Sequence, residues 1–237
     1  MRKQAIYTML IAVVLLLLTG CAAFRPVTLQ ETYPRMYSEQ PVTVLILPPV
    51  NNTTSVDAKE YFACSLSEAI GLKGYYPLPV ETVFDILRDQ GLYDTESYTS
   101  DLAAGNPVIF ANLKKHFGVD AVLFSTIEKW NKSWFLTNGW LDIDARFELL
   151  STADASNLWD FRMSTQVTLG SGSENLIVAA LESAVKTALE DYFPHARRAN
   201  IHAMDKALPF GKHHPEWGTD AENEIPADKH GVWQISR

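Results

Sequence analysis

Leu141-Asp-Ile-Asp-Ala-Arg-Phe-Glu-Leu149 and Trp159-Asp-Phe-Arg-Met-Ser-Thr-Gln-Val167 alternate apolar and polar residues without a break. A strand sends successive side chains to opposite faces, so each run has one apolar and one polar face. The stretch between them, Ser151 to Ser156, is rich in turn residues. The two runs therefore read as an antiparallel hairpin with its apolar face on a core and its polar face in water. Asp142, Asp144, Glu148 and Asp160 lie on that polar face together with Arg146 and Arg162. Pairing of opposite charges across the strands explains these carboxylates better than acid–base catalysis does.

Working outward, Ala121 to Trp130 is a third strand just upstream. Further back, Val42 to Leu47 is almost wholly apolar and ends at Pro48-Pro49, the pattern of a strand buried on both faces. Asp57-Ala-Lys-Glu60 matches a capping box, and Ala58, Phe62, Leu66, Ala69 and Ile70 follow at helical spacing until Gly71 and Gly74. Tyr75 to Leu78 is a short strand, and Pro79 opens a helix with Val80, Val83, Phe84 and Leu87 on its apolar face. Tyr93 to Gly105 is irregular, and Asn106-Pro107 starts a helix closed by Gly118. Ser171-Gly-Ser-Glu174 caps a long amphipathic helix through Ile177, Leu181, Val185 and Tyr192, which Pro194 interrupts, and Ala196 to Leu208 makes a last helix. Alternating elements first and a meander later predict an α/β fold, a mixed sheet with helices packed against it.

The amino terminus carries a second message. Arg2 and Lys3 precede the apolar run Ala5–Leu18, which is followed by Leu18-Thr-Gly-Cys21. A positive start, a short apolar core and small residues before a cut mark an export signal. Leu-Thr-Gly-Cys resembles the lipobox of bacterial lipoproteins, and that resemblance implies diacylglycerol on the Cys21 thiol and cleavage before it. Ala22, where an inner-membrane retention signal would carry Asp, implies sorting to the outer membrane, with the protein facing the periplasm or, as the alternative, exposed at the cell surface. Loss of residues 1–20, which hold Arg2 and Lys3 and no acid, takes the net charge from −8 to −10. So acidic a chain is a poor ligand for nucleic acid. With Cys21 lipidated, Cys64 has no disulfide partner and reads as a buried small hydrophobe.

No P-loop, Gly-x-Ser-x-Gly or His-Glu-x-x-His signature occurs, and no catalytic residue, cofactor or metal ligand is assigned. Gly170-Ser-Gly-Ser173 lacks phosphate-loop spacing and reads as a connection. His213-His214, with Glu216 beside them and His195 and His202 upstream, have neither helical spacing nor a supporting Cys. Trp130, Trp134, Phe135 and Trp140 gather around one strand connection. They are either anchors for a partner or caps of the core.

Several strings together resemble a family of bacterial lipoproteins of unknown function that includes a neisserial vaccine antigen. They are Val44 to Pro49 with Asn51-Asn-Thr53, Leu72-Lys-Gly-Tyr-Tyr-Pro-Leu-Pro79, and Asp85-Ile-Leu-Arg-Asp-Gln-Gly-Leu92. Asn106-Pro107, Phe117-Gly-Val-Asp-Ala-Val122, Leu208-Pro-Phe-Gly211 and His214-Pro215 complete the set. The resemblance implies a fold like the amino-terminal domain of TolB, with looser kinship to CsgG and LpoB. The resemblance covers about Val42 to Pro215, and with the composition of the flanking stretches the chain divides into a signal peptide (1–20), a lipidated tether (21–41), the α/β domain (42–217) and an acidic, mobile tail (218–237). The resemblance implies no enzyme. It points to an accessory protein that binds envelope partners in outer-membrane assembly or secretion, a CsgG-like lipoprotein or a second copy of the chain among them. The alternative is a periplasmic carrier of an apolar or peptidic ligand.

Overall fold

The computed structural model describes residues 27–90, 106–135, 138–169, 192–225 and the backbone of 232–235. The elements are α1 (Leu29–Thr32), α2 (Pro34–Glu39), β1 (Thr43–Ile46), β2 (Val50–Asn51), α3 (Ala58–Leu72), β3 (Tyr76–Pro77) and α4 (Val80–Asp89). They continue as α5 (Pro107–Phe117), β4 (Ala121–Phe135), β5 (Asn138–Ser151), β6 (Asn157–Thr168), α6 (Phe193–Ala207) and β7 (Val232–Ile235). The described strands form one mixed sheet in the order β3-β1-β4-β5-β6-β7, with β2 also on β4. β1 runs parallel to β3 and β4, while β4-β5-β6 is an antiparallel meander. The mixed α/β reading therefore holds.

The hairpin's apolar set builds the core. Phe147, Trp159 and Phe161 are almost fully buried, and Phe62 of α3 stacks on Phe147 with centroids 5.6 Å apart. Trp159 tilts against Phe147 at 6.2 Å, and its indole Nε1 donates to the Ala207 carbonyl of α6 at 2.9 Å. Asn200 of α6, fully buried, donates to the Phe62 carbonyl and to Ser65 Oγ, so α3 and α6 sit locked together on this face. Phe124 points the other way from its neighbours Leu123 and Ser125, and α5 covers it through Phe110 at 6.2 Å. β1 thus lies between helices, which accounts for its unbroken apolar run.

β1 is anchored at its start by one carboxylate. Asp120 Oδ2 accepts from the Val42 and Thr43 amides and from Thr43 Oγ1, each at 3.0 Å. Partial burial raises the Asp120 pKa, but the Thr43 and Val42 hydrogen bonds outweigh it and hold the carboxyl below its usual value. A depressed folded value means stability present above the ordinary carboxylate range and lost as pH falls through the folded one. Asp120→Asn is expected to cost about 1 kcal/mol at neutral pH and nearly nothing in acid, because the donors are exposed. Urea melts at about pH 7 and pH 3 check this; equal losses at both would show that the charge is irrelevant.

Both predicted appendages need correction. The stretch assigned to a tether holds Leu29, Tyr33 and Met36, all buried, and Thr28 with Glu31 forms a true capping box on α1. The stretch assigned to a mobile tail returns to it: Leu29 N donates to the Asn223 carbonyl at 2.9 Å, Ile225 N to Val27 at 3.1 Å, and Asp220 is 2% exposed. β7 then adds to β6 in parallel. Residues 27–41 and 218–225 therefore belong to the folded unit. Asp57 is corrected as well. Its backbone is already helical (φ −74°, ψ −16°) and its side chain makes no cap, so the capping box is absent there. Asn106 does cap α5, its side chain accepting from Val108 N at 3.1 Å, and Gly118 ends that helix at φ 67°. Cys21, the signal segment, the loop after Gly91, and the Gly170–Ser173 and Ser171 readings with the helix beyond them lie outside the described residues.

Candidate functional site

The sheet extends past its own helices as an arm. β4 is parallel-paired to β1 and β2 up to Ile127, and from Lys129 to Phe135 its ladder is with β5. Among the described residues no strand pairs with the other edge of that stretch. The register shifts between Ile127 and Lys129, a bulge that changes which residues face the core. Without it Lys129 would turn inward. With it Trp130 stands opposite Ile143 on the core face and is buried. Trp130 therefore leaves the predicted interaction surface and joins the core. Trp140 is half-buried on the opposite, polar face, facing Ser133 in the ladder, and Phe135 at the tip is 67% exposed. Trp134 stands opposite Gly139, and its side chain lies outside the described set. The four aromatics are thus a sequence cluster that the fold divides.

The polar face of β5 and β6 is only partly the charge-paired surface expected. Asp142 accepts from Gln166 at 2.8 Å and pairs with Lys129 at 3.2 Å, and Asp144 accepts from Ser164 at 2.5 Å. The two rows above run against expectation. Arg146 stands directly opposite Arg162, and Glu148 opposite Asp160. Glu128 relieves one of these, accepting from Arg146 at 2.6 Å and from Asn52 at 2.9 Å. Asn52, then Arg146, hold the Glu128 carboxyl below its usual range against the opposing effect of burial.

A third arrangement joins distant strings. α3 ends at Lys73, and Gly74 turns the chain at φ 86°. Onto that turn folds the loop after α6: Gly211 N donates to the Lys73 carbonyl at 2.7 Å, His213 N to Gly74 at 3.2 Å, and Tyr75 Oη to Pro209 at 2.8 Å. The Phe210 ring stacks flat on His214 at 3.9 Å, and the Lys73 ammonium sits 4.0 Å from the Phe210 centroid. Phe210 N donates to the buried Asp220 at 2.6 Å. Burial pushes the Lys73 ammonium down, opposed by Asp205, Asp220 and Glu216. Burial and then Asp220 push the Tyr37 and Tyr75 hydroxyls up. His214 Nδ1 accepts from Glu216 N at 3.1 Å, which ties the loop to itself. Among the described residues no group of three His, Cys, Asp or Glu is placed for an ion. Cys64 is half-buried, and burial, then Glu81 and Glu60, raise its pKa and oppose thiolate formation.

The strings that meet in this clamp are those of one family. The profile described as Putative lipoprotein GNA1162-like matches residues 32–213, more than three quarters of the chain. The chain belongs to that family. The GNA1162-like match takes in Lys73, Gly74, Phe210 and Gly211 and stops short of Asp220 and of Cys21. A relative from Neisseria meningitidis serogroup B, Putative lipoprotein NMB1124/NMB1162, is 26% identical over 154 residues, covering 65% of this chain and 67% of its own. The crystal structure of lipoprotein GNA1162 from Neisseria meningitidis is similar at a TM-score of 0.46 and 21% identity, over 64% of this chain and all of that one. The LpoB carboxy-terminal domain from Escherichia coli gives a TM-score of 0.35 at 12% identity, over 60% of this chain and 96% of that one. Among the described residues no helix of this GNA1162-like protein is long and apolar enough to cross a membrane.

Proposed function

We propose that this GNA1162-like protein is a lipid-anchored accessory of the bacterial envelope that works by binding other proteins in outer-membrane assembly or secretion. The lipobox at Leu18–Cys21 supports the anchor, with several acyl chains giving stable attachment where one would be marginal. Ala22 favours the outer membrane. The observation that carries the binding role is the arm, with a β4 edge from Lys129 that no strand pairs among the described residues and its exposed Phe135. An unpaired edge offers backbone donors and acceptors to another chain, and an aromatic at its end supplies an anchor. Phe62, Phe147, Trp159 and Phe161 fill the core under the hairpin, so a carried apolar ligand would have to use the cavity of about 460 Å³ lined by Ile86, Leu87, Ile109 and Leu113 of α4 and α5. The resemblance makes a CsgG-like lipoprotein the first partner to test.

Two measurements test this reading. Cys21→Ala is expected to abolish labelling by a palmitate analogue and to leave an unacylated protein, soluble or held by its uncut signal, since only the thiol can take diacylglycerol; label persisting on the variant excludes the anchor. A photo-crosslinking residue in place of Phe135 is expected to give discrete adducts in intact cells, and the same residue at exposed Glu222 none. Equal yields at both positions would remove the arm from the binding role.

A further inference from the structure

Lys73 carries a set of donors that the clamp around it does not use. The residue is 5% exposed, and its ammonium lies 4.0 Å from the Phe210 centroid. Among the described residues that ammonium has no hydrogen-bond acceptor and no ion pair. A buried cation is costly unless its donors are taken up. Its carboxylates are set back. Asp205 acts on it most strongly of the three, then Asp220 and Glu216, and none comes within the 4.0 Å of an ion pair. Asp220 is committed elsewhere, its Oδ2 accepting from Phe210 N and its charge falling on the buried Tyr37 hydroxyl. Lys73 instead lines a cavity of about 490 Å³, with Leu29, Leu208 and Asp220 at its buried end and exposed Asp205, Lys206 and Glu224 around its rim. Asp205 and Glu224 make no ion pair among the described residues.

We infer that this cavity binds a free α-amino acid with an apolar side chain, its carboxylate on Lys73 and its ammonium at Asp205 and Glu224. The charges select that class. A simple anion would suit Lys73, but the lining sets three carboxylates, Asp205, Asp220 and Glu224, against two ammonium groups, Lys73 and Lys206. A simple cation would suit the rim but meets Lys73 at the buried end. A metal ion finds no group of three ligands placed for it among the described residues. An α-amino acid carries both charges on one carbon. It therefore answers the buried donors and the outer acceptors together, across a gap that Lys73 and Asp205 do not close themselves. Charge-assisted hydrogen bonds are the strong kind, and these displace none that Lys73 makes within the chain. Leu29 and Leu208 supply an apolar wall for the side chain, and the volume is that of a small-molecule site. The cavity belongs to the clamp and not to the arm, so it is separate from the proposed protein contact, and it does not depend on the lipid.

The test is isothermal titration calorimetry on the full chain in detergent, with circular dichroism to confirm folding. Leucine is the probe. Leucinamide lacks the carboxylate and N-acetylleucine lacks the ammonium, and each is expected to bind more weakly by about 10-fold or more. Lys73→Met is expected to lower leucine to the level of leucinamide. Asp205→Asn with Glu224→Gln changes only exposed side chains. That variant is expected to weaken leucine by about 10-fold and to leave N-acetylleucine unchanged or tighter, a split that a purely structural role would not produce. Should Lys73→Met fold poorly, the ligand series and the rim variant decide alone. Absence of leucine binding up to about 10 mM would mean that only water meets Lys73, and would overturn the inference. So would either analogue binding as tightly as leucine, or a rim variant that binds leucine like wild type or weakens leucine and N-acetylleucine alike.

Discussion

Gly74→Ala is expected to lower the stability of the protein by about 3 kcal/mol, or roughly 6–12 °C in melting temperature for a chain of this size. Two separate effects add. At φ 86° any Cβ is strained against its own backbone. The added carbon would also lie 2.3 Å from His214 N and 2.8 Å from His214 Cα, which are backbone atoms that cannot swing aside. The loop from Pro209 to Gly218 must lift, and with it go the Gly211 and His213 hydrogen bonds and the Phe210 ring over Lys73. Gly118→Ala separates the effects. Its φ of 67° imposes similar strain, but nothing lies within 4 Å of the new carbon, so about 1 kcal/mol is expected. Calorimetry on both variants reads the difference. If they melt together, strain alone accounts for Gly74 and the clamp contributes nothing.

The meander was legible because its periodicity is unbroken: every residue from Leu141 to Leu149 falls on the face that its polarity predicts. β1 was legible for the converse reason, since covering by helices on both faces leaves no alternation. The bulge at Glu128 was not. One inserted residue shifts the phase of the strand, and nothing in Ile127-Glu-Lys-Trp130 says where the pattern slips. Alternation alone therefore leaves Trp130 open between partner anchor and core cap, and the bulge puts it in the core. The ends were misread for another reason. Leu29, Tyr33 and Met36 recur at helical spacing, a signal that was available, but Pro26 and Pro34 and the polar surroundings masked it. Leu29 bonds Asn223 and Val27 bonds Ile225, partners almost two hundred residues away that composition cannot report. The like-charge rows were hidden in the same way. Alternation fixes which face a residue takes, while only register decides that Arg146 meets Arg162 and not Asp160.

Asp220 makes the sharpest test of the revised boundaries, because a mobile acidic tail would lose nothing with it. The carboxylate is 2% exposed, accepts from Phe210 N at 2.6 Å and acts on Lys73, Tyr37 and Tyr75. Asp220→Ala leaves an amide without its acceptor and a buried ammonium with less opposing charge, at a cost of about 3 kcal/mol. Glu222→Ala, two residues on and exposed, is expected to change stability by less than about 0.5 kcal/mol. The pH dependence separates the two contributions. Lys73 already has a folded pKa below its ordinary 10.5, so the fold disfavours its charged form and gains stability as pH rises toward that value. Without Asp220 that folded pKa falls further, so the variant recovers more stability than wild type on the way up in pH. In Lys73→Met with Asp220→Asn the recovery disappears, since no ammonium is left to titrate, and part of the neutral-pH loss is restored. Urea melts across this pH range decide the matter. An Asp220→Ala protein that melts like Glu222→Ala would return residues beyond Gly218 to the status of a tail.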